Sequence, residues 1–104
     1  MIGVIFMNYW LSPIDTGMGL KYIMQTIDRL TRFGGVDVVG LGSDFDGFTD
    51  PPDEITDLSQ MPRFTRELAS VMRSPSSAKY DDRSIAKMLG GNALRLLRNG
   101  WGRP

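Results

Sequence analysis

The sequence predicts an α/β fold in which two parallel strands are joined by a crossover helix. Residues 2–9 are a continuous apolar run rich in β-branched and aromatic side chains, typical of a strand buried on both faces. Residues 36–41 form a second, shorter run of the same kind. Between them, apolar side chains recur every three or four residues on one helical stripe, namely Leu20, Ile23, Met24, Ile27 and Leu30. A strand, a helix and a second strand in this order predict a right-handed βαβ unit.

Capping residues define the expected ends of the crossover helix. Asp15 or Thr16 is predicted to accept its first free amides, and Gly34-Gly35 is predicted to end it. Residues 47–59 contain glycine, two prolines and several acidic or hydroxyl side chains, which indicates a long surface loop after the second strand. The carboxylates of this loop are expected to be mainly solvated, namely Asp50, Asp53, Glu54 and Asp57.

The remaining residues predict helices that follow the βαβ unit. Asp57 or Ser59 can cap the first of them, whose apolar positions are Met61, Phe64, Leu68, Val71 and Met72. Residues 74–77 break this pattern, and Asp81 or Asp82 opens a second stretch with Ile85, Met88 and Leu89 on one face. Residues 90–92 are expected to interrupt that stretch, with Asn92 capping a final helical segment.

Composition restricts the possible functions. The chain has 104 residues, of which 41% are hydrophobic, so it is expected to form one domain or part of one. Twelve basic and twelve acidic side chains cancel, which disfavours nucleic acid or an anionic membrane as a partner. No apolar run is long enough to span a bilayer. The sequence has no cysteine and no histidine, so its chemistry has to depend on carboxylates.

A pair of aspartates lies where the second predicted strand ends. Ligands of parallel α/β folds bind beyond the carboxyl ends of the strands, and this strand leads directly into residues 42–47, Gly-Ser-Asp-Phe-Asp-Gly. If strand geometry persists, Asp44 and Asp46 point to the same side and form a site for proton transfer or a cation. The alternative is that both aspartates have ordinary roles in a turn. No EF-hand loop, phosphate-binding loop, nucleophile elbow or histidine-containing zinc motif is present.

Three segments together resemble the membrane dipeptidase (renal dipeptidase) family of metallopeptidases. Residues 39–47, Val-Gly-Leu-Gly-Ser-Asp-Phe-Asp-Gly, are similar to the signature of the family. Residues 89–95, Leu-Gly-Gly-Asn-Ala-Leu-Arg, match its C-terminal helices, and residues 3–8 resemble its penultimate barrel strand. The resemblance implies that residues 1–104 are the C-terminal part of one (β/α)8 TIM-like barrel domain, with the last two parallel strands, their crossover helix and the C-terminal helices.

The same resemblance implies a chemistry and assigns residues to it. Members of the family hydrolyse dipeptides with two zinc ions that activate a bridging water and stabilise the oxyanion. Asp44 matches their catalytic aspartate, which transfers the proton, and Gly42, Ser43, Asp46 and Gly47 surround it as site-supporting residues. The family's metal ligands are a His-x-Asp pair, a bridging glutamate and two further histidines, all on earlier strands. No metal ligand is therefore expected in this chain, and zinc is expected only in a complete enzyme.

Three hypotheses follow for function. The chain is the C-terminal part of a zinc-dependent dipeptidase and is inactive by itself, or it is a noncatalytic α/β remnant or interaction module. A third hypothesis is a small α/β protein that binds magnesium through Asp44 and Asp46. The lack of a signal peptide and of cysteine predicts a cytoplasmic location, while homo-oligomerisation is left open.

Overall fold

The parallel arrangement predicted for the two strands is confirmed. A computed structural model describes residues 1–11, 19–47, 50–72 and 80–101, and only the backbone of residues 71 and 72. Strand β1 (Ile2–Val4) pairs in parallel with β2 (Val39–Leu41), and Gly3 lies opposite Gly40. Helix α1 (Asn8–Leu11) follows β1, and helix α2 (Leu20–Gly34) lies between the strands in sequence. Helices α3 (Met61–Met72), α4 (Asp82–Ala86) and α5 (Asn92–Gly100) complete the order.

Both strands are shorter than predicted. The run of residues 2–9 is extended only over Ile2–Val4, its first two strand residues are exposed, and Asn8 already begins a helix. Residues 36–38, predicted as strand, form a 3-10 turn. The carbonyls of Val36 and Asp37 accept hydrogen bonds from the side chains of Asn92 and Arg95. Side chains rather than a neighbouring strand therefore satisfy these two carbonyl groups before β2 begins at Val39.

The predicted stripe of α2 packs on the sheet and the C-terminal helices. Leu20, Ile23, Met24 and Ile27 are buried, and Leu30 packs against the same core. Residues of both strands, of the segments that follow them and of the helical region up to Met88 join them, including Val4, Phe6, Val39, Ile55, Phe64, Leu68 and Met88. The ring of Phe6 lies 5.0 Å from that of Phe64 and 5.7 Å from that of Phe45. This cluster holds the residue after Asp44 against the core.

The ends of α2 are stabilised in two different ways. Gly35 adopts a φ of 77° and donates its N–H to the carbonyl of Thr31, as the Gly34-Gly35 cap predicts. Asp15 and Thr16, the predicted N-caps, lie outside the described residues. The carboxylate of Glu54 accepts the N–H of Leu20 at 3.2 Å, from 34 positions along the chain. Glu54 is thus half-buried and structural, not solvated as predicted, and its charge suits the positive end of the helix.

The predicted caps of the C-terminal helices are confirmed up to α4. Asp57 accepts the N–H of Ser59 at 2.7 Å in a 3-10 turn (Leu58–Gln60) that leads into α3. Asp81 caps α4 by accepting the N–H of Ser84 at 2.7 Å. The predicted break at residues 74–77 lies outside the described residues. In the described parts of the chain, no helix has the length and hydrophobicity needed to cross a membrane.

The predicted interruption at residues 90–92 is wrong. A π-helical segment (Lys87–Gly91) joins α4 to α5, and Gly91 has helical backbone angles. Asn92 is not a cap, since its fully buried side chain donates to the carbonyls of Val36 and Val39 at 2.7 and 2.8 Å. The wider π turn shifts the following residues around the helix axis, so that Asn92 faces the start of β2.

Candidate active site

The predicted site lies at the carboxyl end of β2, in a turn formed by residues 44–47. The chain continues alongside β1 for two residues past the strand, since Gly42 donates to the carbonyl of Val4 at 3.0 Å. Ser43 then accepts the N–H of Phe6 at 3.3 Å. The turn follows and is closed by the N–H of Gly47, which lies 3.1 Å from the carbonyl oxygen of Asp44. Gly42 and Ser43 therefore support the turn through their backbone groups.

Strand geometry does not persist into the turn, so the predicted alternation of Asp44 and Asp46 is wrong. Their φ angles are 60° and 68°, in the left-handed region, and they are the only non-glycine residues of the described chain with positive φ. This conformation costs an ordinary residue about 1–2 kcal/mol, although aspartate tolerates it better than most. Strained backbone of this kind persists where the surroundings impose it, and it is concentrated at functional sites.

The turn leaves both carboxylates accessible. Asp44 and Asp46 are exposed, and within the described residues neither side chain makes a hydrogen bond or an ion pair. The turn that the alternative requires is present, but it is closed by backbone atoms and neither carboxylate caps it. Asp44 thus lies exposed at the carboxyl end of the strand.

Gly47 is fitted closely to Asp44. A Cβ atom at position 47 would lie 2.6 Å from the Oδ1 atom of Asp44 and 3.1 Å from its carbonyl oxygen. Real Cβ atoms do not approach other atoms within 3.0 Å, so any other residue would displace the carboxylate. A Cβ at Gly42 would make only ordinary contacts, the nearest at 3.5 Å from Gly3. Of the two predicted glycines, only Gly47 lies so close that an added Cβ would require the exposed Asp44 carboxylate to shift.

A groove of about 410 Å³ begins beside the turn. Phe45, Pro51 and Leu58 supply its apolar lining, and Asp46 and Asp57 contribute carboxyl groups. Hydrogen bonds from the hydroxyl and the N–H of Ser59 lower the pKa of Asp57 from its ordinary value. The groove thus combines apolar surface with negative charge next to Asp44.

The described residues do not fit a zinc site. A zinc centre requires three or four nitrogen, sulfur or carboxylate ligands that converge on one point. Among these residues, no group of three histidine, cysteine, aspartate or glutamate side chains is placed to hold a metal ion, and the whole sequence has neither histidine nor cysteine. For the magnesium hypothesis, the described residues likewise contain no group of three carboxylates that could hold the ion together with Asp44 and Asp46.

The sequence did not identify Asn8 as part of the site. Asn8 is buried, donates its Nδ2 to the carbonyl of Pro51 at 2.7 Å, and donates its backbone N–H to the carbonyl of Asp50 at 2.8 Å. It therefore holds the loop that forms one wall of the groove. The available signal was a single amide side chain inside an otherwise apolar run, because a buried polar group needs a partner.

Asn92, predicted to be structural, lies at the opposite end of β2. Besides its two bonds to Val36 and Val39, its Oδ1 accepts a hydrogen bond from Arg95 at 2.9 Å. Arg95 and Lys87 both contact Asp37, and the hydrogen bond from Lys87 is the main cause of the lowered pKa of Asp37. Asn92 thus binds backbone carbonyls at the start of β2 instead of forming the predicted cap.

Comparisons with known proteins agree with the resemblance carried by these segments. The sequence profile described as membrane dipeptidase (peptidase family M19) matches residues 1–100. A Klebsiella pneumoniae protein named "Uncharacterized protein in pqqA 5'region" is 38% identical over 104 residues, which cover 97% of this chain and 35% of that protein. Dipeptidase tcpJ of Claviceps purpurea (strain 20.1) is 27% identical over 101 residues, covering 92% of this chain and 22% of that enzyme. No solved structure gives a significant match.

The matches show to which family the chain belongs, but they cover only a part of each relative and so do not show the activity of a whole enzyme. The chain spans about a third of the length of the Klebsiella relative and about a fifth of the Claviceps enzyme. The family profile, in contrast, extends over nearly all of the chain, including both strands, the Asp44 turn and the C-terminal helices. The chain belongs to the membrane dipeptidase family, peptidase family M19.

Proposed function

We propose that this chain contributes the proton-transfer aspartate, Asp44, to a zinc-dependent dipeptidase that cleaves the peptide bond of dipeptides. The observation that carries the proposal is the geometry of Asp44, an exposed carboxylate held in a left-handed conformation at the carboxyl end of a parallel strand. The family profile and the relative named as a dipeptidase support this reaction class. The (β/α)8 barrel is part of the same proposal, with β1 and β2 as its last two strands.

The role of Asp44 follows from its chemistry. Peptide hydrolysis requires removal of a proton from the attacking water and delivery of a proton to the leaving amine. A single carboxylate can do both in turn, provided that it reaches the water and the amine from one position. Asp44 has no hydrogen-bonding partner in the described chain that would compete for its oxygens. Proton transfer of this kind contributes roughly 10²–10⁴-fold to the rate.

The metal has to be held by residues other than those described. Because the described side chains form no three-ligand cluster, we assign no step of the reaction to zinc within this chain. We propose that the 104 residues are inactive by themselves and that a longer polypeptide supplies the ligands. The short span of the chain on its relatives supports this view.

The test is Asp44→Asn in the dipeptide-hydrolysing polypeptide that contains these residues. Asparagine keeps the shape of the side chain and tolerates the left-handed conformation, so zinc content and thermal stability are expected to be unchanged. The value of kcat is expected to fall roughly 10²–10⁴-fold. Asp53→Asn, in the exposed loop after the site, is the matched control and should retain the wild-type rate. An unchanged kcat in Asp44→Asn would remove the catalytic assignment.

A noncatalytic module is the second candidate, and the lack of a metal cluster among the described residues is the observation in its favour. Assays of the purified 104-residue chain, with and without zinc, distinguish the two. The noncatalytic module is favoured if the 104-residue chain folds cooperatively without metal and hydrolyses no dipeptide, and if a longer polypeptide that contains these residues is also inactive. Turnover by the 104 residues with stoichiometric zinc would instead contradict our view that the ligands lie elsewhere.

A further inference from the structure

We propose that Asn8 is a positioning residue that holds the Asp44 turn and the adjacent wall of the groove in their working geometry. The proposal rests on the function proposed above, since it assigns Asn8 a role in the action of Asp44. Asn8 is 2% exposed and begins α1, four residues after the end of β1, the strand that neighbours β2. It donates hydrogen bonds to two carbonyls of the loop after the site, so its effect can be tested by removing the amide donor alone.

The hydrogen bonds at the carboxyl ends of the two strands form a continuous series. The bonds between β1 and the segment after β2 end with Phe6 donating to the carbonyl of Ser43. The next ones both come from Asn8, whose N–H and Nδ2 donate to the carbonyls of Asp50 and Pro51. Residues 6–8 therefore bind the chain on both sides of the turn that contains Asp44 and Asp46. The bond before the turn is to Ser43, and the bond after it is to Asp50.

The composition of the loop explains why an amide side chain is needed here. Pro51 and Pro52 have no N–H, so this part of the loop cannot be held through its own backbone donors. The two prolines can form backbone hydrogen bonds only through their carbonyl groups, which need donors from elsewhere. Asn8 supplies two such donors from one residue, whereas an apolar side chain of similar size would leave the Pro51 carbonyl without one.

The consequence for the site is geometric. Pro51 lines the groove together with Phe45 and Asp46, so the bonds from Asn8 set the distance between the two walls. Without them the loop can move away from the turn that holds the two left-handed aspartates. A displacement of about 1 Å at a catalytic group is enough to lower a rate roughly 10²-fold.

The chain offers a matched control for this inference. Asn92 is also a buried asparagine that donates to two backbone carbonyls, but at the amino end of β2. Asn8→Asp and Asn92→Asp both keep the side-chain shape and remove the amide donor. If Asn8 only stabilises the fold as a whole, two variants that lower the free energy of unfolding by the same amount will change the turn to the same extent.

The first measurement uses the chain itself and does not depend on activity. NMR order parameters of residues 44–47 are expected near the rigid value of about 0.85 in the wild type and in Asn92→Asp, and to fall toward about 0.6 in Asn8→Asp. If the aspartate variants do not fold, Asn8→Ser and Asn92→Ser replace them and are compared in the same way. Equal order parameters in the two folded variants would overturn the proposal.

The second measurement uses the dipeptide-hydrolysing polypeptide. Asn8→Asp is expected to lower kcat about 10- to 100-fold with KM changed less than about threefold, whereas Asn92→Asp should keep kcat per folded molecule. An unchanged kcat in Asn8→Asp, with an active wild type, would reject the positioning role and leave the proposed function intact. If the wild type hydrolyses no dipeptide, the proposed function fails. The role of Asn8 is then decided by the NMR measurement alone, and unchanged order parameters of residues 44–47 in Asn8→Asp would show that Asn8 does not hold the turn.

Discussion

The two ends of β2 use polar side chains in opposite ways. At the amino end, Asn92 is fully buried and donates to two carbonyls, while Asp37 is paired with Lys87 and Arg95. At the carboxyl end, Asp44 and Asp46 are exposed and their carboxylates have no partner within the described residues. Only this second end has residues with a strained backbone conformation.

This difference separates stability from function along a single strand. Polar groups that are fully hydrogen-bonded inside a protein fix its structure, and their removal leaves their partners unsatisfied. Polar groups left without partners at a strained turn contribute little to stability but are available to a ligand. Parallel α/β folds place their ligands at the carboxyl ends of the strands, and the distribution of polar contacts around β2 follows that rule.

The largest effect is expected when Asn92 is changed at the amino end. Asn92→Ala leaves the carbonyls of Val36 and Val39 without their side-chain donor and also removes the acceptor for Arg95. Each unsatisfied buried group costs about 1–3 kcal/mol, so we expect the free energy of unfolding to fall by about 2–4 kcal/mol. Denaturant unfolding of the folded protein measures this loss.

Asn99→Ala is the control for that experiment. Asn99 is an exposed asparagine on the same helix, and its replacement should change stability by less than about 0.5 kcal/mol. An equal effect of the two substitutions would show that the buried contacts of Asn92 do not stabilise the start of β2.

A smaller effect, on activity rather than stability, is expected from Gly47→Ala at the carboxyl end. The added Cβ would lie 2.6 Å from the Oδ1 atom of Asp44, so the carboxylate has to rotate or the turn has to open. We expect kcat for dipeptide hydrolysis to fall about tenfold, as is typical when a catalytic group is misplaced by a fraction of an ångström. Gly90→Ala is the control, because a Cβ there has no neighbour within 4 Å. Equal rates in the two variants would contradict the steric argument.

The sequence predicted those parts of the fold that depend on local periodicity. The apolar stripe of α2, the Gly35 cap and the Asp81 cap all depend on residues within a few positions of one another, and the structure confirms them. The position of the candidate site was predictable for a similar reason, since residues 42–47 directly follow β2. Its geometry was not, because the left-handed turn replaces the expected strand alternation of Asp44 and Asp46.

The two buried asparagines show why the rest was not predictable. Asn8 binds a carbonyl 43 positions away, and Asn92 binds carbonyls 53 and 56 positions away. Local reasoning assigns an asparagine beside a helix to a cap, since the nearest free backbone groups are those of the helix end. Only the tertiary packing brings distant carbonyls closer, and in the case of Asn92 it also requires the π turn before it.

The smallest expected effect concerns charge at the amino end of β2. The hydrogen bond from Lys87, followed by the charges of Lys87 and Arg95, holds the pKa of Asp37 below its ordinary value of 3.8. A carboxylate whose pKa is lowered by folding stabilises the protein above its unfolded pKa, and this contribution disappears as the pH falls through the folded value. NMR titration of Lys87→Met should therefore give a pKa of Asp37 closer to 3.8, with a weaker loss of stability as the pH falls below about 4. Lys21→Met, which removes a lysine from α2, should leave the titration of Asp37 unchanged.

Because the pair of Lys87 and Asp37 is on the surface and away from the turn, kcat should be the same in both variants at neutral pH. A lower kcat in Lys87→Met alone would mean that the two ends of β2 are coupled, and the separation of stability from function along the strand would then be wrong.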